Sequence, residues 1–206
     1  VMHRLLSDMQ KVPSPFFYTW LTLSSHEPYE TPVPARIPGN DHESRMLDVM
    51  HYTDSIVYDF ITACKQLPWW KNTLVVITGD HGHPLPKRTL RSDNFRIPIL
   101  FTGGAVKQFI RREEVVSQND IATSILWYAS LSSSSYRWSR NVFQHNHPGN
   151  AFFTFNNGFG FASGDRVFMF DNLGKRLIEY DTVPGEQALV AGKALQQISF
   201  KDYLDR

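Results

Sequence analysis

The sequence predicts an α/β chain: a core with a mostly parallel sheet, followed by a small antiparallel meander and a C-terminal helix. Three patterns point there. Residues 73–78 (Thr-Leu-Val-Val-Ile-Thr) form a β-branched-rich run without polar alternation, the pattern of a strand covered on both faces. Between Asp41 and Leu67, the residues Leu47, Met50, Asp54, Val57, Ile61 and Cys64 recur by threes and fours, which predicts a long amphipathic helix. Beyond Ser132–Ser135 the texture changes to short aromatic runs separated by Gly- and Asn-containing turns, the pattern of antiparallel hairpins.

Taken in order, Leu5, Leu6 and Met9 have helical spacing, and Pro13-Ser14-Pro15 ends that helix. Residues 16–23 (Phe-Phe-Tyr-Thr-Trp-Leu-Thr-Leu) are aromatic and β-branched and predict a buried strand that discharges into Ser24-Ser25-His26-Glu27-Pro28-Tyr29. Pro28, Pro32, Pro34 and Pro38 exclude regular structure up to Gly39, leaving an ordered loop. Asp41 is placed to cap the long helix. Asp54 falls on its apolar stripe, where a carboxylate needs either loop backbone or a polar cluster as partner. Trp69-Trp70-Lys71-Asn72 turns the chain into the strand over residues 73–78. Residues 84–94 read as an exposed polar loop, and residues 97–101 as a short strand near an edge because of Pro98. Ser117-Gln118-Asn119-Asp120 has capping-box spacing before a helix reaching about Leu131, which makes Asp120 a helix-start residue. Strands are predicted over 151–155, 159–162, 167–170 and 176–180, then a helix from about Gly185 to Tyr203. The predicted division is a core over residues 1–131 and a β subdomain over 132–206.

The formal net charge is +1 with scattered Lys and Arg, which excludes the concentrated basic face of a nucleic-acid binder. Cys64 is the single cysteine, so neither an intrachain disulfide nor a thiolate zinc cluster is expected. No segment reaches the length of a membrane helix. The chain opens at Val1 in what reads as the interior of a fold, and an excised or truncated piece is expected.

The chemistry-bearing motif is Gly79-Asp80-His81-Gly82, directly after the predicted buried strand. Open α/β sheets gather their ligands beyond the carboxyl ends of such strands. Adjacent Asp and His offer oxygen and nitrogen donors suited to Mn, Zn or Mg. The competing reading is a capped turn in which Asp80 bonds backbone amides and His81 is surface. His83 either faces the same cleft or decorates the turn. His145-Asn146-His147 reads as surface rather than a second metal site, and His3, His42 and His51 as ordinary.

Ser-Ser-His-Glu-Pro-Tyr at 24–29, Tyr52-Thr53-Asp54, Pro68 to Leu74, Val-Ile-Thr-Gly-Asp-His-Gly at 76–82, Arg96 to Leu100 and Ser117 to Thr123 occur in this order. Together they resemble the C-terminal half of a sulfatase-like hydrolase of the alkaline phosphatase superfamily, closest to lipoteichoic acid synthase-type phosphoglycerol transferases. The resemblance covers residues 12–131 well and the remainder loosely. It implies a partial alkaline phosphatase-like core and a phosphoryl or sulfuryl transfer enzyme with one divalent metal, Mn favoured over Mg, Ca or Zn, activating a Thr, Ser or formylglycine nucleophile. By the same resemblance Asp80 and His81 match metal ligands, and His26 matches a substrate-binding histidine. Lys87 is spaced like a sulfate-contacting lysine, against the alternative of a solvated basic loop with Arg88 and Arg91.

The family's nucleophile and early metal ligand lie upstream of anything matched here, so this chain alone is expected to be inactive. A phosphoglycerol lipid or a sulfated or phosphorylated glycan is the implied substrate, acted on outside the cytoplasm by a membrane-anchored parent of which this chain is a soluble part. The missing half of the fold, or a second copy, is the expected protein partner. The alternatives are a sulfatase proper and a non-catalytic domain that binds an anionic glycan or a partner.

Overall fold

A computed structural model describes residues 1–144, 149–164 and 166–205. The chain forms two compact units. The first comprises residues 1–75, 83–87 and 102–107, and the second residues 76–82, 88–101 and 108–206.

In the first unit, α1 (Met2–Met9) and α2 (His42–Cys64) carry the sequence's helical spacing. Asp41 caps α2 as expected, accepting the amides of Glu43 and Ser44 at 3.1 and 3.0 Å. Met9, Phe60 and Cys64 form a buried cluster joined by Phe16, Trp20 and Trp69. Edge-to-face rings fill it: Trp20 on Phe60 at 5.2 Å and Phe16 on Trp69 at 5.4 Å. Burial pushes the Cys64 thiol up to about 11, so it packs as a small hydrophobe and is not a reactive thiolate.

Two expectations fail in this unit. Residues 16–23 are not a strand: they run without a ladder partner among the described residues, and Phe17, Leu21 and Leu23 are largely exposed. Composition favoured a strand, but a strand exists only through its neighbour's hydrogen bonds, and Phe16 and Trp20 dock here as isolated anchors instead. Asp54 is exposed. The buried carboxylate of α2 is Asp48, whose Oδ1 accepts the amides of Arg36 and Ile37 at 2.6 and 3.0 Å. A bond to loop backbone, one of the two partnerships open to Asp54, is thus made by a residue earlier on the helix.

The pair β1 (Val75–Thr78) and β2 (Ile99–Thr102) forms a two-stranded sheet. β1 is half-buried, not fully covered as its run of apolar residues predicts. α3 (Asp120–Tyr128) follows in the second unit. Asn119, which directly precedes it, makes no side-chain capping bond, but the predicted Ser117–Asp120 pairing forms: Asp120 Oδ2 accepts the Ser117 amide at 2.9 Å, and Ser117 Oγ accepts the Asn119 amide at 3.3 Å. Asp120, the first residue of α3, also closes a buried network. It accepts the amides of Ser117 and Arg140 at 2.9 and 2.8 Å and the Arg140 guanidinium at 2.9 Å.

The meander matches its prediction closely. β3 (Asn150–Phe155), β4 (Gly158–Ser163), β5 (Arg166–Asp171) and β6 (Arg176–Tyr180) pair antiparallel in sequence order. α4 (Glu186–Leu204) covers one face through Ala188, Leu189 and Leu195 on Phe159, Phe161, Phe168 and Phe170. Gly192 permits that approach, since a Cβ there would lie 2.6 Å from the Phe159 ring. No helix among the described residues is long and apolar enough to cross a membrane.

Two predictions follow from these carboxylates. Hydrogen bonds from Ile37 and Arg36 hold the Asp48 carboxyl below its ordinary value of 3.8. A depressed acid contributes stability that is complete above that ordinary value and lost as pH falls through its lower folded one. The Arg36 and Ile37 amides should therefore keep their hydrogen-exchange protection below pH 4 and lose it only on further acidification; loss already at pH 5 would refute the clamp. For Asp120, Arg140→Ala removes the guanidinium but keeps both backbone amides, and should cost about 1.5–3 kcal/mol in urea unfolding, as for a hydrogen bond to a charged group.

Candidate functional site

β1 ends at Thr78, and the chain leaves it through Gly79-Asp80-His81-Gly82. The glycines set where this turn lies. A Cβ on Gly82 would overlap the Asn94 carbonyl and stand 2.7 Å from Phe95 Cα, and one on Gly79 would stand 3.1 Å from Ile97 Cγ2. The turn is thus laid flat on residues 94–97, with no room for a side chain between backbones.

Asp80 and His81 project from it, their side chains 69% and 73% exposed, with His81 Nε2 3.8 Å from Asp80 Oδ2. Asp80 Oδ1 accepts the His81 amide at 3.0 Å, leaving Oδ2 facing the imidazole. His81 Nδ1 lies 2.8 Å from the Gly82 carbonyl oxygen. A carbonyl only accepts, so Nδ1 carries the proton, and the neutral ring presents its lone pair at Nε2. A backbone acceptor that fixes the tautomer in this way is the usual support of a metal-binding imidazole. The capped turn of the competing reading is present, since Asp80 bonds a backbone amide and His81 is at the surface, and an oxygen and a nitrogen remain outward.

Gln118 completes the support. Its Nε2 donates to the carbonyls of Gly79 and Asp80 at 2.8 and 3.0 Å, tying the approach to α3 onto the turn. The sequence placed Gln118 only inside a capping box; nothing local marks a contact made 39 residues away.

The other candidates belong to the first unit. His26 lies in a turn at the end of the strandless segment, exposed, with Nδ1 2.9 Å from the Glu27 carbonyl, so in the neutral ring the lone pair is on Nε2. Lys87 is exposed. His83 is a structural residue. Its Nδ1 accepts the Leu85 amide at 3.0 Å, so the proton resides on Nε2, which lies 3.0 Å from the Tyr29 hydroxyl. With both nitrogens engaged, His83 decorates its turn and has no lone pair to offer. The structure therefore joins Asp80 to His81, with His26 and Lys87 in the other unit. His145 and His147 lie outside the described residues.

Among the described residues no group of three or more His, Cys, Asp or Glu side chains gathers as a complete cation cage would require. Asp80 and His81 are one hard oxygen and one imidazole nitrogen, a pair that fits a divalent cation as part of a larger ligand set.

The Sulfatase family model matches residues 2–131, well over half of the chain. The chain belongs to the sulfatase family. A crystal structure of an alkaline phosphatase superfamily protein from Vibrio parahaemolyticus is similar to it, with a TM-score of 0.71 at 18% identity over 94% of this chain. The sulfatase-family chain spans about half of that protein's length, 52%. Its α/β fold, ending in the four-stranded antiparallel sheet and α4, is thus of the alkaline phosphatase superfamily kind. The family match contains the Asp80–His81 turn and Gln118 and stops before the meander.

The tautomers give a direct check on this sulfatase-family site. Long-range 15N–1H correlation spectra above the imidazole titration range should show His81 protonated on Nδ1 and His83 on Nε2. The reverse assignment for His81 would remove the outward lone pair and with it the donor pair.

Proposed function

We propose that this sulfatase-family chain supplies part of a metal-dependent phosphoryl- or sulfuryl-transfer site, with Asp80 and His81 as ligands to one divalent cation, Mn favoured. The observation that carries the reading is the turn itself. It holds an outward carboxylate oxygen and an imidazole with its tautomer set, beyond the end of β1. A cation bound there would withdraw charge from a phosphate or sulfate oxygen as negative charge builds in the transition state. Two donors do not complete a divalent cation's ligand set, so this site needs further ligands and a nucleophile besides Asp80 and His81.

Within the family we favour phosphoglycerol transfer of the lipoteichoic acid synthase type, on a phosphoglycerol lipid, by a membrane-anchored parent facing away from the cytoplasm. The Ser-Ser-His-Glu-Pro-Tyr stretch around His26 supports that preference over a sulfatase proper.

The complete parent protein should hydrolyse a chromogenic phosphodiester with Mn²⁺ present and leave a chromogenic sulfate ester nearly untouched. Asp80→Asn and His81→Ala should each lower that turnover by more than the roughly 10–100-fold that loss of an outer-shell partner costs. Unchanged turnover in both variants would place the site elsewhere, and preference for the sulfate ester would make the protein a sulfatase.

A further inference from the structure

The residues that back the Asp80–His81 turn are themselves held by the meander. The 3-10 turn Arg91–Phe95 presents its first amides to β6: Arg91 N–H donates to Glu179 Oε2 at 2.7 Å and Ser92 N–H to Glu179 Oε1 at 2.8 Å. Both oxygens of one carboxylate are thereby engaged. Its last residue, Phe95, stacks on Phe153 of β3 with centroids 4.3 Å apart at 21°. The Arg91 guanidinium sits 4.8 Å over the ring of Phe155. The opposite end of the same short turn, Asn94 O and Phe95 Cα, is the surface against which Gly82 lies without room for a Cβ. Every residue in this chain of contacts belongs to the second unit.

We infer that the meander positions the Asp80–His81 donor pair, with Glu179 as the positioning residue acting through Arg91–Phe95 and Gly82. The inference rests on the metal reading proposed above only where cation affinity is concerned. Glu179 touches neither donor. Burial opposes its ionisation, and the hydrogen bonds from Ser92 and Arg91 outweigh it, so the carboxyl sits below its usual range and the clamp is charged at neutral pH. The 3-10 turn cannot slide along β6 without breaking both bonds, and Gly82, in backbone contact with it, has no side chain to absorb a shift.

Glu179→Gln leaves one acceptor oxygen where two are used, and Phe153→Leu removes the aromatic stack alone. Asp171→Ala is the control: that carboxylate accepts the Leu173 amide in the β5–β6 turn and has no bond to residues 91–95 among the described residues. The amide spectrum of each intact variant is recorded without metal and then during titration with Mn²⁺ alone. Glu179→Gln and Phe153→Leu are expected to shift the amides of Asp80, His81 and Gly82. They should raise the Mn²⁺ concentration that half-broadens the His81 signals about tenfold, while Asp171→Ala changes neither. The inference is overturned if Glu179→Gln moves only the Arg91 and Ser92 amides, or if Asp171→Ala disturbs residues 80–82 equally. Where Glu179→Gln does not fold, Phe153→Leu is judged by the same criteria. If the unaltered protein shows no Mn²⁺ broadening, the metal reading fails, while the metal-free shifts still decide the positioning.

Discussion

The constraint on which the site depends is the absence of a side chain at residue 82. Gly82 brings the exit of β1 into backbone contact with Asn94 and Phe95, and everything chemical about the turn follows from that approach. It forces residues 79–82 flat, so that Asp80 and His81 have only the solvent side into which to project. It also places the Gly82 carbonyl where it receives His81 Nδ1–H, which selects the tautomer with an outward Nε2. A residue with a Cβ would separate the two segments and remove orientation and tautomer together.

Carboxylates organise the rest by accepting backbone amides. Asp41 takes two amides at the start of α2, Asp48 two from the proline-rich loop, Asp120 those of Ser117 and Arg140, and Glu179 those of Arg91 and Ser92. Each satisfies donors that irregular backbone would otherwise leave unpaired. Asp80 differs from these. It spends one oxygen on the amide of its own neighbour and keeps the other beside the imidazole, in solvent. A carboxylate whose only structural duty is one local bond can change partners cheaply, as a ligand must, whereas releasing Asp120 would strand a buried charge.

Legibility in the sequence followed the range of the physics. The meander was readable strand by strand because short aromatic runs and Gly- and Asn-containing turns are local signals, and the same holds for α2 and its Asp41 cap. The donor motif was readable because Asp80 and His81 are adjacent and flanked by glycines. Residues 16–23 misled because strand composition says nothing about whether a partner strand lies alongside. The phase of α2 misled in its first half. Met46, Asp48 and Val49 are buried while Met50 and Asp54 are not, because the loop over residues 28–39 covers a face one step round from the apolar stripe.

What the sequence could not show is how the motif is held. Gln118 reaches the turn across 39 and 38 residues, and Glu179 reaches residues 91 and 92 across 88 and 87. Polar side chains like these carry no periodic signal, since their partners are backbone groups that every residue possesses. The distinction matters for how the two parts of the chain relate. The family match ends at residue 131, yet the segment beneath Gly82 is bonded to β6 and stacked on β3, both beyond that limit. A donor pair written in four consecutive residues is therefore oriented by a sheet that begins some seventy residues later, and only the folded chain brings the two together.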